Sequence, residues 1–283
     1  MTSETPAPAL RDLFPETAER HPPVAPLPPG RLVLPEEEDT ERPAFWLSDG
    51  PAPAGLWAAL RAEHGRTGLW PLLLDALDDD DEDYRPWGNG EVLPGDMSDP
   101  GAHAPAELLA RWWSEHTAPA EDDALPEAER AAVTSPYGRS WPGAAGPRRL
   151  VVDPDRTADD LAAHLLAGHP TMRLGLVAAD RGADALSTAG WTGPMNHFAD
   201  TALLSSVLRD WEERYGARVV GVGFDTLVLS VAAPPTTHAD ALPVAAEHFA
   251  LCPDNVWQGE SPHTLFAYAQ RLVGDHSWTF WWD

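Results

Sequence analysis

The 283-residue chain contains no lysine; all 19 of its basic side chains are arginine. Lysine codons are A-rich, so this absence, beside abundant Ala, Gly and Pro, reflects a G+C-rich bacterial genome rather than a function. Cysteine is almost as scarce. The single Cys252 excludes an internal disulfide and any multi-cysteine metal site. Long apolar runs are missing too: a stretch such as Gly68–Leu74 falls far short of the ~20 residues a spanning helix requires. The first residues, Met1 to Pro8, carry neither a basic nor an apolar segment, so no signal peptide is expected and the cytoplasm is the expected address.

Positive charge is outweighed throughout. Against the 19 arginines stand 45 acidic residues, a formal net charge of −26. Residues 1–147 contribute −18 of it and residues 148–283 contribute −8. So negative a surface repels phosphate backbones and anionic lipid, which argues against nucleic-acid and membrane binding and leaves basic proteins as compatible partners.

The strong catalytic signatures are also absent. There is no Walker loop, no His-Glu-x-x-His and no Gly-x-Ser-x-Gly; Gly138-Arg-Ser-Trp-Pro-Gly143 is one residue too long for a nucleophile elbow. Gly221-Val-Gly223 lacks the third glycine of a dinucleotide loop, where Thr226 stands instead, and a strand pattern follows it rather than a helix. No cofactor is expected. The run Asp78-Asp79-Asp80-Asp81-Glu82-Asp83 suggests calcium, but neither register puts glycine at the sixth position of an EF-hand loop. It reads better as solvated charge, and as a candidate contact surface.

The residues that are present divide the chain unevenly. Residues 1–40 hold nine of the 30 prolines and the acidic run Glu36–Asp39, which predicts a disordered tail. Residues 41–117 read as an N-terminal α/β segment packing on the C-terminal domain, with order starting near Phe45-Trp46. Helices are expected over 54–64 and 105–116, and a buried strand over 67–74. Residues 118–147 read as a loop or linker.

Residues 148–283 are better patterned. Leu150–Val152 and Leu174–Val177 are strand candidates flanking a helix at about 157–167. Leu204, Val207, Leu208, Trp211 and Tyr215 form one helical stripe over 201–215, with Gly216 placed to end it. Residues 218–223 and 226–231 alternate as a hairpin. A helix at 240–251 turns Leu242, Ala245, Ala246 and Phe249 inward, with Pro243 either in its first turn or kinking it. Ser261-Pro262 looks like a helix start, followed by the stripe Leu265, Phe266, Ala269, Leu272 and Val273. A last strand over 277–283 puts Trp278, Phe280 and Trp282 on one face and Trp281 on the other. The predicted fold class is α+β: a mixed or largely antiparallel sheet with packed helices.

The series Trp191-Thr-Gly193, Trp211-Glu-Glu-Arg-Tyr-Gly-Ala-Arg218, Asp225-Thr-Leu227, Pro234-Pro235, Cys252-Pro-Asp254 and Trp278-Thr-Phe-Trp-Trp-Asp283 resembles the bacterial domain of unknown function numbered 4253. The resemblance spans roughly residues 173–283. It implies a fold and a boundary, and no catalytic residue to carry over.

One polar cluster remains for chemistry. His248 and Cys252 stand four residues apart near a helix end, the spacing of a metal pair or a Cys-His dyad, and Asp254 follows closely. His197, Asp200 and Asp225 are candidates to join them in space. Each has a plain structural reading as well: a buried thiol, a helix cap for Asp200, a turn residue for Asp225. The expected function is therefore an acidic protein-interaction role of the inhibitor or immunity type, not an enzyme, with Asp78, Asp79, Asp80, Asp81, Glu82 and Trp281 as candidate contacts. The alternative is a small hydrolase or metal-dependent enzyme using the His248/Cys252 region.

Overall fold

A computed structural model describes residues 10–14, 21–36, 41–78, 83–119 and 127–283. Its centre is one seven-stranded mixed sheet: β1 (Gly30–Val33), β2 (Phe45–Pro51), β3 (Leu69–Leu74), β4 (Arg173–Ala178), β5 (Ala217–Val222), β6 (Thr226–Val231) and β7 (Ser277–Trp281). The spatial order is β1-β2-β4-β3-β5-β6-β7. Every neighbouring pair is antiparallel except β3 and β5, which are parallel. The expected α+β class with a mixed sheet is what is found.

Helices cover both faces. On one face lie α1 (Leu56–Thr67) and α4 (Pro154–Gly168), packed over Trp46, Leu69, Leu73, Leu174, Leu176 and Val220. The other, larger core holds α2 (Pro105–Thr117), α5 (Ala185–Ala189), α6 (Ala202–Tyr215), α7 (His238–Leu251) and α9 (Leu265–Leu272). Two further short helices are α3 (Glu127–Val133) and α8 (Asp254–Trp257). Coverage of both faces explains why all six residues of β3 are buried, a run of apolar residues rather than an alternation. Pro71 sits in that central strand without an N–H to give. Ladder pairing with β5 begins only at Leu73, and the Trp70 indole Nε1 donates to Val219 O at 3.0 Å.

The large core is set by the stripe on α6. Leu204, Val207, Leu208, Trp211 and Tyr215 are all buried, and Gly216 closes the helix at φ 63°, a conformation costly for any side chain. Trp211 stacks on Phe280 of β7 at 5.5 Å and meets Trp278 edge-on at 5.5 Å. Trp278, Phe280 and Trp282 are buried as the alternation of β7 requires.

Among these rings lies one carboxylate. Glu247 of α7 is fully buried. Its Oε2 accepts from Trp211 Nε1 at 2.7 Å and from the Arg214 guanidinium, and its Oε1 accepts from Ala145 N–H at 2.7 Å and from Arg214 Nη1 at 3.0 Å. Arg214 also holds Asp210 and donates to Ala145 O at 2.8 Å. The network joins α6, α7 and the approach to α4 at one point.

Several expectations give way. Leu150–Val152 is not a strand; Val151 is 77% exposed, because β5 and β6 already pair with each other beside α4. The stretch 118–147 contains α3. Ser261-Pro262 does not start a helix: α9 begins at Leu265, with the Thr264 side chain accepting from Ala267 N–H. Phe266, one residue from Leu265 and so about a quarter-turn round the helix, is 59% exposed rather than in the core. Helix α7 starts at His238, which leaves Pro243 beyond its first turn. The tail is shorter than its prolines suggest, since Gly30–Val33 is the edge strand β1 and Leu13 is buried.

Replacing Arg214 by Met should lower stability by ~3–5 kcal/mol, because Glu247 would be left as an uncompensated buried charge. The Arg214→Met, Glu247→Met double variant should recover much of the loss. Urea denaturation of both variants measures this. A single-variant loss under ~1 kcal/mol, the size of a surface change, would sink the account.

Candidate functional site

Thr237 caps the start of α7, its hydroxyl accepting from Asp240 N–H, and the helix carries Glu247, His248 and Phe249 into the core. Cys252 ends it, with its N–H bonded to His248 O at 2.8 Å. Pro253, Asp254 and Asn255 then turn into α8. The spacing that suggests a reactive pair therefore does place His248 and Cys252 in one neighbourhood.

Their surroundings decide the chemistry. His248 is fully buried, with Trp278 at 4.4 Å, Phe280 at 4.8 Å and Trp211 at 5.1 Å between ring centres. Its Nδ1 is 2.9 Å from the Tyr268 hydroxyl, and its Nε2 has no partner. Burial pushes its pKa down to about 3, so the ring is neutral. The Cys252 thiol is buried too, and burial pushes its pKa up to about 12. Its Sγ donates to Trp281 O at 2.9 Å and lies 3.5 Å from Asn255 Oδ1. A nucleophilic or metal-binding cysteine acts as thiolate; this one is held as a thiol.

Two residues that sequence reasoning does not single out connect the pair. Asn255 Nδ2 donates to Tyr268 Oη at 3.0 Å and to Thr279 O at 2.8 Å, while its Oδ1 accepts from Trp281 N–H at 3.2 Å. The Tyr268 hydroxyl, having accepted from Asn255, is free to donate to His248 Nδ1. The path runs Cys252, Asn255, Tyr268, His248, and every hydrogen bond along it is neutral. Asn255 directly follows the Cys-Pro-Asp motif, and Tyr268 sits three residues after Leu265 in the α9 stripe; both positions are legible in the sequence, but not their pairing.

The other candidates separate. His197 Nε2 reaches Asp254 Oδ2 at 2.9 Å, and the same oxygen accepts from Asp283 N–H at 3.2 Å. His116 lies beside His197, 6.3 Å between ring centres, and burial followed by the His197 charge pushes its pKa down to about 4. Asp200 Oδ1 accepts from Ala202 N–H at the start of α6, as a cap does. Asp225 occupies the β5–β6 turn, where its Oδ2 accepts from Trp281 Nε1 at 3.1 Å. Among the described residues, no group of three His, Cys, Asp or Glu side chains is arranged to hold a metal ion.

The candidate contact residues fall at one end of the sheet. Leu74 pairs with Val222, Val222 with Leu227, and Thr226 with Trp281, so the segment after β3, the β5–β6 turn and the end of β7 share that end. Asp78 is exposed there and Trp281 partly so; Asp79, Asp80, Asp81 and Glu82 lie outside the described residues. At the opposite end, near Gly68 and Ala178, opens a cleft of about 650 Å³. Its wall includes Arg209, which grips Asp184 through two bonds of 2.5 and 2.8 Å, and none of the sequence candidates lines it.

The two depressed histidines predict a pH dependence. Above the ordinary value of 6.5, folded and unfolded chains are both neutral at these rings, which then contribute nothing. As pH falls below 6.5, the unfolded chain takes up protons that the folded chain refuses, so stability is lost progressively down to about 3 for His248 and about 4 for His116. Urea denaturation between pH 6.5 and 4 should show a shallower decline for His248→Phe than for wild type, by roughly 1.4 kcal/mol per pH unit. Parallel curves would refute the buried neutral ring.

No curated protein and no solved structure matches the chain. Residues 173–283, from the first residue of β4 to Asp283, match the family described as Domain of unknown function (DUF4253), in agreement with the motifs from Trp191 to Asp283.

Proposed function

We propose that the chain is a protein-interaction module of the inhibitor or immunity type, which docks a cationic partner on the acidic end of its sheet. The observation that carries this reading is the placement of Trp281. Its ring is partly exposed, anchored through Nε1 to Asp225, and lies at the sheet end that also carries Asp78 and Asp283. An aromatic face beside carboxylates suits arginine and lysine, through cation–π contact and charge-assisted hydrogen bonds. Because the hydrogen bond to Asp225 already holds the indole, little side-chain freedom is lost on binding. The net charge of −26 supports the same partner class and faster encounter with it. A reducing cytoplasmic setting suits the lone free thiol. An enzyme working through His248 and Cys252 lacks comparable support, since both groups are buried in their neutral forms.

The test is affinity capture from a native lysate at ~0.05 M and ~0.5 M salt, either side of the physiological screening range. Wild type and the Trp281→Ala, Asp225→Asn double variant serve as baits, with folding checked by circular dichroism. A basic protein retained by wild type at low salt, released at high salt and missed by the folded variant is the expected result. Capture indifferent to both salt and variant would overturn the assignment.

A further inference from the structure

We infer that Asn255 is a lock on the β7 edge: its side-chain amide takes the place of a neighbouring strand and keeps a second copy of this chain from pairing there. Strand β7 ends the sheet, so one row of its backbone groups faces away from β6. An exposed row of this kind is a template for another strand. Residues 277, 279 and 281 carry the outward groups, because His276 O accepts from Val231 N–H and Trp282 N–H donates to Asp225 O on the β6 side, and alternate residues point to opposite sides.

Side chains cover most of that row. Asn255 Nδ2 donates to Thr279 O at 2.8 Å while Asn255 Oδ1 accepts from Trp281 N–H at 3.2 Å. One amide thus gives a donor to residue 279 and an acceptor to residue 281, which is what a paired strand would offer. Cys252 Sγ takes Trp281 O at 2.9 Å, and Asp275 Oδ1 takes Ser277 N–H at 2.9 Å. The Asn255 amide is itself held by Tyr268, whose hydroxyl reaches His248. The buried pair with catalytic spacing in the sequence thereby acts as the anchor of the lock.

The opposite edge is managed differently. Strand β1 is only four residues long and is flanked by Pro28, Pro29 and Pro35, and proline cannot donate to an added strand. Strand β7 contains no proline and runs Trp278, Thr279, Phe280 and Trp281, a strongly strand-forming sequence. The unwanted partner that its chemistry fits is the same strand of another copy, paired antiparallel about a two-fold axis.

Asn255→Ala tests the lock in the full chain. At concentrations low enough to keep the variant monomeric, hydrogen exchange at Trp281 N–H should rise by roughly tenfold, as a lost hydrogen bond implies. Light scattering coupled to gel filtration should show dimers or larger species growing with concentration. Adding Thr279→Pro should restore the wild-type mass, since that N–H faces away from β6 and proline there removes no existing ladder bond. Cys252→Ala, a milder lesion at the same edge, keeps the test decisive if Asn255→Ala does not fold; it should raise association in the same direction. Folded variants with wild-type mass and unchanged exchange at Trp281 overturn the proposal. So does association that Thr279→Pro leaves untouched.

Discussion

The interaction on which the large core depends is the buried carboxylate of Glu247. A charge with no exposure is tolerable only when its lone pairs are all engaged and a countercharge is close. Here Trp211 and Arg214 of α6 and the distant Ala145 amide supply those partners from two separate parts of the chain. The demand runs both ways. Satisfying Glu247 fixes the roll of α7 against α6, sets the indole of Trp211 where it stacks on Phe280, and draws in the segment that leads to α4.

The next residue on α7 extends the consequence. With Glu247 directed at Arg214, His248 is turned into the cage of Trp211, Trp278 and Phe280, where only the Tyr268 hydroxyl meets it. From Tyr268 the path continues to Asn255 and the rim of β7. A charged network at the centre of the core and a neutral one at its margin thus start from consecutive residues of one helix. Side chains that a reaction would recruit are engaged in holding the sheet. The docking surface proposed above is the acidic end beside Trp281, where exposed carboxylates such as Asp78 remain in water and retain their long-range field.

The span matched to the family does not make one continuous sheet by itself. Strands β4 and β5 both lie within it, yet they are joined only through β3, which comes from residues 69–74. The upstream chain therefore supplies a central strand, and with it Trp70, whose indole completes the bonding of β5 where Pro71 has no N–H to offer. Any activity of the matched region in this protein is exercised on a sheet that the N-terminal part completes.

Local physics makes much of this readable from residues alone. The 3.6-residue stripe on α6 and Gly216 beyond it, the alternation of Trp278, Phe280 and Trp282, and the hairpin about Asp225 each follow from a single element satisfying its own periodicity. Those signals determine which side chains are buried, and so they predict the α+β class. They are silent about which elements meet. Leu150–Val152 has the composition of a strand, but the positions beside β5 and β6 are already filled, a fact that belongs to the sheet order. The environment of Cys252 and His248 is likewise fixed by residues distant in sequence. Spacing puts both on one helix face, and it takes Tyr268, Asn255 and the aromatic residues of β7 to make one a protonated thiol and the other a neutral core imidazole. A pKa depends on solvent and on neighbours in space, and those neighbours are brought together only when the sheet and its helices close.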